Sequence, residues 1–326
     1  MPAAGVLGLG LLVALVGHLF TRALAPAERE RTPGEVAFMQ LFVGVVLCGW
    51  PAFILAEVGL FSLLRWSLLL LLGTGLLLAT RWKAVRSWRG PALRWRGEGL
   101  LNLGLFLLLG FFLCFPGEWL LGGQDPGVYV ATAASIAGSG GIVLHDPEIA
   151  RMPAVARPLF LFSYIGQWWQ LPGFYLTDFS GQVTPQFLHL YPVWLALGHA
   201  AGGPFGALCV TPLLVLLGLA AAFFLVRRRF GEWPARLALV LLALNPAQVW
   251  FARQPSAESL TLVLVLGGWY LLLRAAQEPG RWDLALFAGA ALGEIALVKV
   301  EYLFLPLLIC AWFLLRAWAG RPLPNG

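Results

Sequence analysis

From Pro204 to Val226 twenty-three consecutive residues carry no charge, and three arginines, Arg227 to Arg229, come directly after them. A helix crosses the hydrocarbon core of a bilayer in about 20 residues, and in lipid its backbone polar groups must be satisfied within the segment itself. Eight further apolar runs approach this length, at 3–20, 36–56, 58–80, 98–116, 235–251, 257–274, 284–299 and 302–317. With 60% hydrophobic and 12% charged residues, the chain has too little polar surface to cover a soluble globule of 326 residues. The expected fold class is therefore all-α, a polytopic membrane protein with about nine transmembrane helices and surface helices in one large outer loop. The chain divides into N-terminal transmembrane helices over 1–80, a basic loop over 81–97, and a membrane core over 98–326 with 117–203 as its outer loop.

The basic residues are partitioned between the two ends of these runs. Arg81, Lys83, Arg86, Arg89, Arg94 and Arg96 form one cluster, and Arg227, Arg228, Arg229 and Arg236 another. With Arg22, Arg29, Arg31, Arg274, Arg281, Arg316 and Arg321 they place 17 of the 22 basic residues on one side, which the positive-inside rule assigns to the cytoplasm. Arg65, Arg151, Arg157, Arg253 and Lys299 fall at the other face, together with Glu57, Glu118, Asp125, Asp146, Glu148, Asp178, Glu258 and Glu301. The net charge of +6 is thus a topology signal for a multi-pass protein of the cell membrane, with membrane lipids and not nucleic acid as its surroundings. Met1 to Phe20 reads as a retained span, because no Lys or Arg precedes its apolar run. Arg65 interrupts the third run, and a two-span alternative there would reverse the N-terminus. Cys48, Cys114, Cys209 and Cys310 all lie in apolar runs, so no disulfide framework is implied.

The loop 117–203 holds most of the outer polar chemistry. Asp125 stands in "QDPG", where Gly122 and Gly123 allow a sharp turn after the fourth run and Pro126 fixes the entry to a surface helix. That helix is "VYVATAASIAGSGG", which has helical spacing and a glycine-rich end. In "TPQFLHLYPVWLALGHAAGG", Thr184 and Pro185 read as N-cap and N1, with the exit at Gly202 and Gly203. If this second helix crossed the bilayer, Arg227 to Arg229 would be forced outside, so it is expected to lie along the surface or to dip in and return. The aromatics of "YIGQWWQLPGFYLTDFSGQ" suit an interface belt.

A group transfer at this face would need a base for a proton, charge stabilisation for a departing anion and access from the membrane. Glu258, in "ARQPSAES", falls at a helix N-terminus on the Asp125 side, where it either holds substrate or simply complements the helix dipole. Lys299 and Glu301 share the outer turn of "LVKVEYLFLP". Lys299 and Arg253 are the candidate phosphate contacts, with a Lys299 to Glu301 pairing or a plain interface anchor as the alternatives. Glu294 lies inside the eighth run, where an ionised group is costly. His145, Asp146 and Glu148 in "VLHDPEIAR" offer three ligands for a divalent metal, with His189 a fourth, although the spacing matches no zinc motif and also reads as an Asp-Pro turn. His189 is in addition a candidate substrate contact. No phosphate-binding glycine loop follows a strand, and no Asp-x-Asp pair exists to hold a nucleotide-sugar through a metal, so a nucleotide donor is disfavoured.

The order of these pieces carries a resemblance. A run delivering Asp125 to the outer face, a surface helix, "TPQFLHLYPVWLALGH…GG", a run ending in "RRRFG" and then "ALNPAQVWFARQPSAESLTLVL" resemble the GT-C superfamily of membrane glycosyltransferases over roughly residues 98 to 318. Within it, the protein-mannosyltransferase and aminoarabinose-transferase branch is the most similar. The resemblance implies a polyprenyl-phosphate-linked sugar as donor, a glycan, lipid or protein hydroxyl as acceptor, and a catalytic carboxylate in the first large outer loop, which here is Asp125. An Asp before a Pro is also a good N-cap, which leaves a structural role open for the same residue. The rival classes are a transporter or flippase-like protein, which would place polar groups near the bilayer midplane as Glu294 does, and a non-catalytic membrane subunit.

Overall fold

The computed structural model describes residues 2–24, 32–87, 97–117, 125–164, 168–171, 173–278 and 280–318. In chain order its elements are helices α1 (Pro2–Leu24), α2 (Pro33–Glu57), α3 (Leu63–Ser87), α4 (Gly97–Leu113) and α5 (Asp125–Ser139), strand β1 (Leu144–His145), and helices α6 (Pro147–Arg151) and α7 (Arg157–Phe160). Next come strands β2 (Phe162–Tyr164), β3 (Trp168–Leu171), β4 (Phe174–Leu176) and β5 (Gln182–Pro185), and then helices α8 (Leu190–Phe230), α9 (Glu232–Ala243), α10 (Pro246–Arg253), α11 (Ala257–Gln277), α12 (Trp282–Glu294) and α13 (Leu305–Trp318). Gly122 and Gly123, assigned the turn before Asp125, lie outside the described residues.

A helix stands at each of the nine expected places, yet among the described residues only α1, α2, α3, α8 and α11 are long and apolar enough to cross a membrane, with the bent pair α9 and α10 as a sixth. The expected count of nine is not reached, for local reasons. The run 235–251 is not one helix: Asn245 accepts hydrogen bonds from the N–H groups of Ala247 and Gln248 at 2.9 and 3.4 Å, Pro246 takes the first helical position, and the axis bends by 64°. The eighth run ends as a helix at Glu294 and continues through two 3-10 turns, Ile295–Leu297 and Val300–Tyr302, separated by an extended Lys299. The loop assigned to 81–97 begins later than expected, because α3 runs to Ser87 across a kink at Arg81.

The segment between α5 and α8 holds the main departure from an all-α fold, a five-stranded antiparallel sheet in the order β1-β5-β4-β3-β2. It has its own small core of Ile149, Leu161, Leu176 and Val183. It is seated on α5 at Gly173 (φ +80), where an added Cβ would lie 2.0 Å from a methyl of Val128. Because residues 182–185 pair with both β1 and β4, Thr184 and Pro185 do not start a helix as their N-cap pattern suggested. Ladder hydrogen bonds override that local signal, and α8 begins only at Leu190.

The forty-one residues of α8 are two helices. Gly202 and Gly203 leave helical geometry, and the Tyr191 hydroxyl lies 2.7 Å from that of Thr211. Twenty residues apart, these groups would be about 30 Å apart in a straight helix. The arm 190–201 therefore folds back on 204–230. Two glycines permit the approach: a Cβ on Gly198 would meet the Gly206 carbonyl oxygen at 2.5 Å, and one on Gly206 the Gly198 oxygen at 2.1 Å. The expected exit at Gly202 and Gly203 is the observed hinge.

Small residues also close the contact between α1 and α2. A Cβ on Gly17 would stand 1.8 Å from the Gln40 carbonyl oxygen, and one on Gly44 2.1 Å from that of Val13. In lipid such close backbone approach replaces the hydrophobic effect as the source of helix association. Gly17→Val forces two backbones apart, and overpacking of this kind costs roughly 1–3 kcal/mol or more. A clear drop in the thermal unfolding midpoint of the detergent-solubilised protein is expected, and an unchanged midpoint would refute this packing.

The polar residues sort to two ends. At one end Glu57 meets His189, Phe61 meets Gly140, and Ser256 meets Tyr191. At the other, Arg227 pairs with Glu232 at 2.7 Å, Arg228 and Arg274 with Glu278 at 2.9 and 2.8 Å, Arg236 with Glu98 at 3.0 Å, and Arg281 with Asp283 at 2.7 Å. This division follows the partition of charge in the sequence. Ser139 closes α5 beside the turn that opens α3, whereas Ser87 ends α3 about 35 Å away at 1.5 Å per residue. Single cysteines at these two exposed positions are expected to react with an impermeant thiol reagent from opposite sides of a sealed membrane. Reaction from the same side would contradict the arrangement.

Candidate active site

Asp125 is the first residue of α5 and is exposed. One turn on, Tyr129 is buried, its ring against Phe187 (centroids 4.7 Å) and edge-on to Tyr191 (5.0 Å). Burial, and then the negative charges of Glu258 and Asp125, raise the Tyr129 phenol above the ordinary tyrosine range, with Tyr191 and Glu301 adding to the effect. Through Tyr191, whose hydroxyl accepts the Ser256 N–H, Tyr129 connects the head of α5 with the head of α11 and the Glu258–Lys299 pair, and this connection defines the site.

Glu258 sits in the first turn of α11. It accepts a hydrogen bond from the Ser256 hydroxyl and is ion-paired and hydrogen-bonded with Lys299. The extended conformation of Lys299 between the two 3-10 turns turns its side chain to this partner. The pairing is therefore with Glu258, whereas the sequence alternative was Glu301. Burial works against the charge on Lys299, but Glu258 outweighs it, with help from Glu301, and the ammonium titrates above the usual lysine range. An ammonium has three donors, and the contact with Glu258 leaves others to share with an incoming anion.

The remaining expected site residues are placed elsewhere. Arg253 donates to the Phe112 carbonyl at 2.9 Å and stacks on the Phe112 ring at 5.3 Å, while its own carbonyl accepts the Gly117 N–H at 2.6 Å. It clamps the end of α4 through these contacts. His189 precedes α8 and bonds Glu57 through Nδ1 at 2.8 Å. His145 is exposed in β1, Asp146 caps α6 by accepting from the N–H groups of Glu148 and Ile149, and Glu148 pairs with Arg151 at 3.4 Å. Among the described residues no group of three or more His, Cys, Asp or Glu side chains comes together to hold a metal, and Asp146 with Pro147 forms an Asp-Pro helix start. Glu294, the last residue of α12, is buried, and neither carboxyl oxygen has a hydrogen-bond partner among the described residues. A cavity of about 210 Å³ lined by Glu35, Phe224, Arg227 and Arg228 lies at the opposite end, where both arginines already meet carboxylates.

Sequence reasoning missed Tyr129, Tyr191 and Ser256. Tyr129 was detectable, since four residues after Asp125 is the same helix face. Tyr191 and Ser256 are joined only by the fold-back of α8.

Residues 187–324 match the family model described as dolichyl-phosphate-mannose-protein mannosyltransferase. The stretch takes in His189, Arg253, Glu258, Lys299 and Glu301 and leaves Asp125 outside. No curated protein and no solved structure matches the chain. The chain is thus similar to GT-C-type membrane glycosyltransferases over α8 to α13, as its sequence resemblance implied, and its apolar helices fit a multi-pass membrane protein.

Proposed function

We propose that this protein transfers a sugar from a polyprenyl-phosphate-linked donor to an acceptor hydroxyl at the outer face of the cell membrane, with inversion and with Asp125 as general base. The observation that carries the reading is that α5, which opens with Asp125, packs through Tyr129 on Tyr191, whose hydroxyl accepts from Ser256 beside the Glu258–Lys299 pair, at the end of the molecule opposite the arginine clusters. A lipid-linked donor keeps its anomeric carbon near the headgroup plane, and a carboxylate held at the head of a surface helix is at the same level. Asp125 takes the acceptor proton as the acceptor oxygen bonds to the anomeric carbon and the bond to phosphate breaks, with the electron pair leaving on polyprenyl phosphate. Lys299 meets the charge that develops on that phosphate. The acceptor is a hydroxyl of a glycan, lipid or protein.

The donor class is tested by offering the purified protein, in lipid nanodiscs with a hydroxyl acceptor mixture, either polyprenyl-phosphate-mannose and related lipid-linked sugars or the corresponding nucleotide-sugars. Consumption of a lipid-linked donor alone is expected. Consumption of a nucleotide-sugar alone would overturn the assignment.

A further inference from the structure

We infer that Tyr191, which touches no reacting group, is a positioning residue that holds the Glu258 and Lys299 pair in place through Ser256. The inference rests on the donor reading above for its functional consequence, but its structural part stands independently. Tyr191 is fully buried at the start of the folded-back arm of α8. Its phenol oxygen accepts the Ser256 N–H at 2.6 Å and shares a hydrogen bond with Thr211 at 2.7 Å. Ser256 is the residue preceding α11, in extended geometry (φ −151°, ψ 128°), and its buried N–H has no carbonyl of its own helix to meet. From the same residue the hydroxyl reaches Glu258, and its carbonyl accepts the Ser259 hydroxyl at 2.8 Å.

One phenol thereby ties three elements: the arm 190–201, the arm 204–230 and the head of α11. The path from phenol to ammonium runs through Ser256 and Glu258 without a gap. Without the Tyr191 hydroxyl a buried N–H is orphaned, and the first turn of α11 relaxes to find another partner. Glu258 and Lys299 move with it. Thr211 supplies a built-in control, because it closes the α8 hairpin through the same phenol but has no bond to Ser256.

The test compares Tyr191→Phe, Ser256→Ala and Thr211→Val in nanodiscs with two readouts. The first is the rate at which Lys299 is acylated by an amine-directed reagent, followed by peptide mass spectrometry. The second is the Kd for a short-chain polyprenyl-phosphate-mannose. Tyr191→Phe and Ser256→Ala are each expected to raise Lys299 reactivity several-fold and to weaken donor binding about tenfold, the effect of losing one buried hydrogen bond. Thr211→Val should leave both readouts near wild type. Combining Tyr191→Phe with Lys299→Gln should weaken binding no more than Lys299→Gln alone. If Tyr191→Phe does not fold, Ser256→Ala decides. Weaker donor binding in Lys299→Gln, with unchanged reactivity and binding in both Tyr191→Phe and Ser256→Ala, would overturn the positioning role and leave the donor reading intact. Raised Lys299 reactivity, with donor binding unchanged in every variant including Lys299→Gln, would establish the positioning and overturn the donor reading instead.

Discussion

Asp125→Asn is expected to lower sugar transfer by about 10²-fold or more while the protein stays folded and binds its donor. The asparagine amide fills nearly the same space in the first turn of α5, so the helix is expected to keep its start. It cannot take a proton from an acceptor hydroxyl at neutral pH. The loss should therefore appear in the rate of transfer from bound donor, with little change in donor Kd, the pattern of an interaction made only as the reaction proceeds. Single-turnover transfer from preloaded donor reads this directly, and near-normal transfer in the asparagine variant would reduce Asp125 to a helix-capping residue.

Lys299→Gln is expected to act on the other parameter. A charge-assisted hydrogen bond from a partly buried ammonium to a phosphate contributes about 1.5–3 kcal/mol, so donor Kd should rise roughly 10- to 150-fold. The variant also strands Glu258, whose partner in the free protein is Lys299. Glu258→Gln together with Lys299→Gln removes the stranded charge, and should recover any lost stability without recovering donor affinity. Isothermal titration or a flotation assay with donor in nanodiscs checks this. Donor affinity within twofold of wild type in Lys299→Gln would remove the phosphate role.

The helical framework was legible where its signals are local. The uncharged run closed by Arg227 to Arg229, the break at Gly202 and Gly203, and the helix between Asp125 and Gly140 are all set by residue types acting over a few positions. The turn at "LNPAQ" was equally local: Asn245 and Pro246 are a good N-cap and N1 pair, yet the apolar residues on both sides read as one span. The sheet over 144–185 was not legible, because its strands are two to four residues long, too short for alternation to register. Its pairing then displaced the start of α8 from Thr184 to Leu190. At the site, the types of group were legible and their partners were not. Lys299 pairs with a carboxylate forty-one residues away, and Arg253 is drawn to the end of α4 by the bend of α10, contacts that only tertiary packing creates.

Sealed vesicles carrying the protein and a radiolabelled polyprenyl-phosphate-sugar separate catalysis from its transport rival most directly. The central claim predicts that sugar label leaves the lipid only when an acceptor hydroxyl is present on the side of Ser139, with one polyprenyl phosphate released for each sugar transferred and the product anomer inverted relative to the donor. Intact donor appearing in the opposite leaflet, with no polyprenyl phosphate released, would contradict it and make the protein a carrier of the lipid.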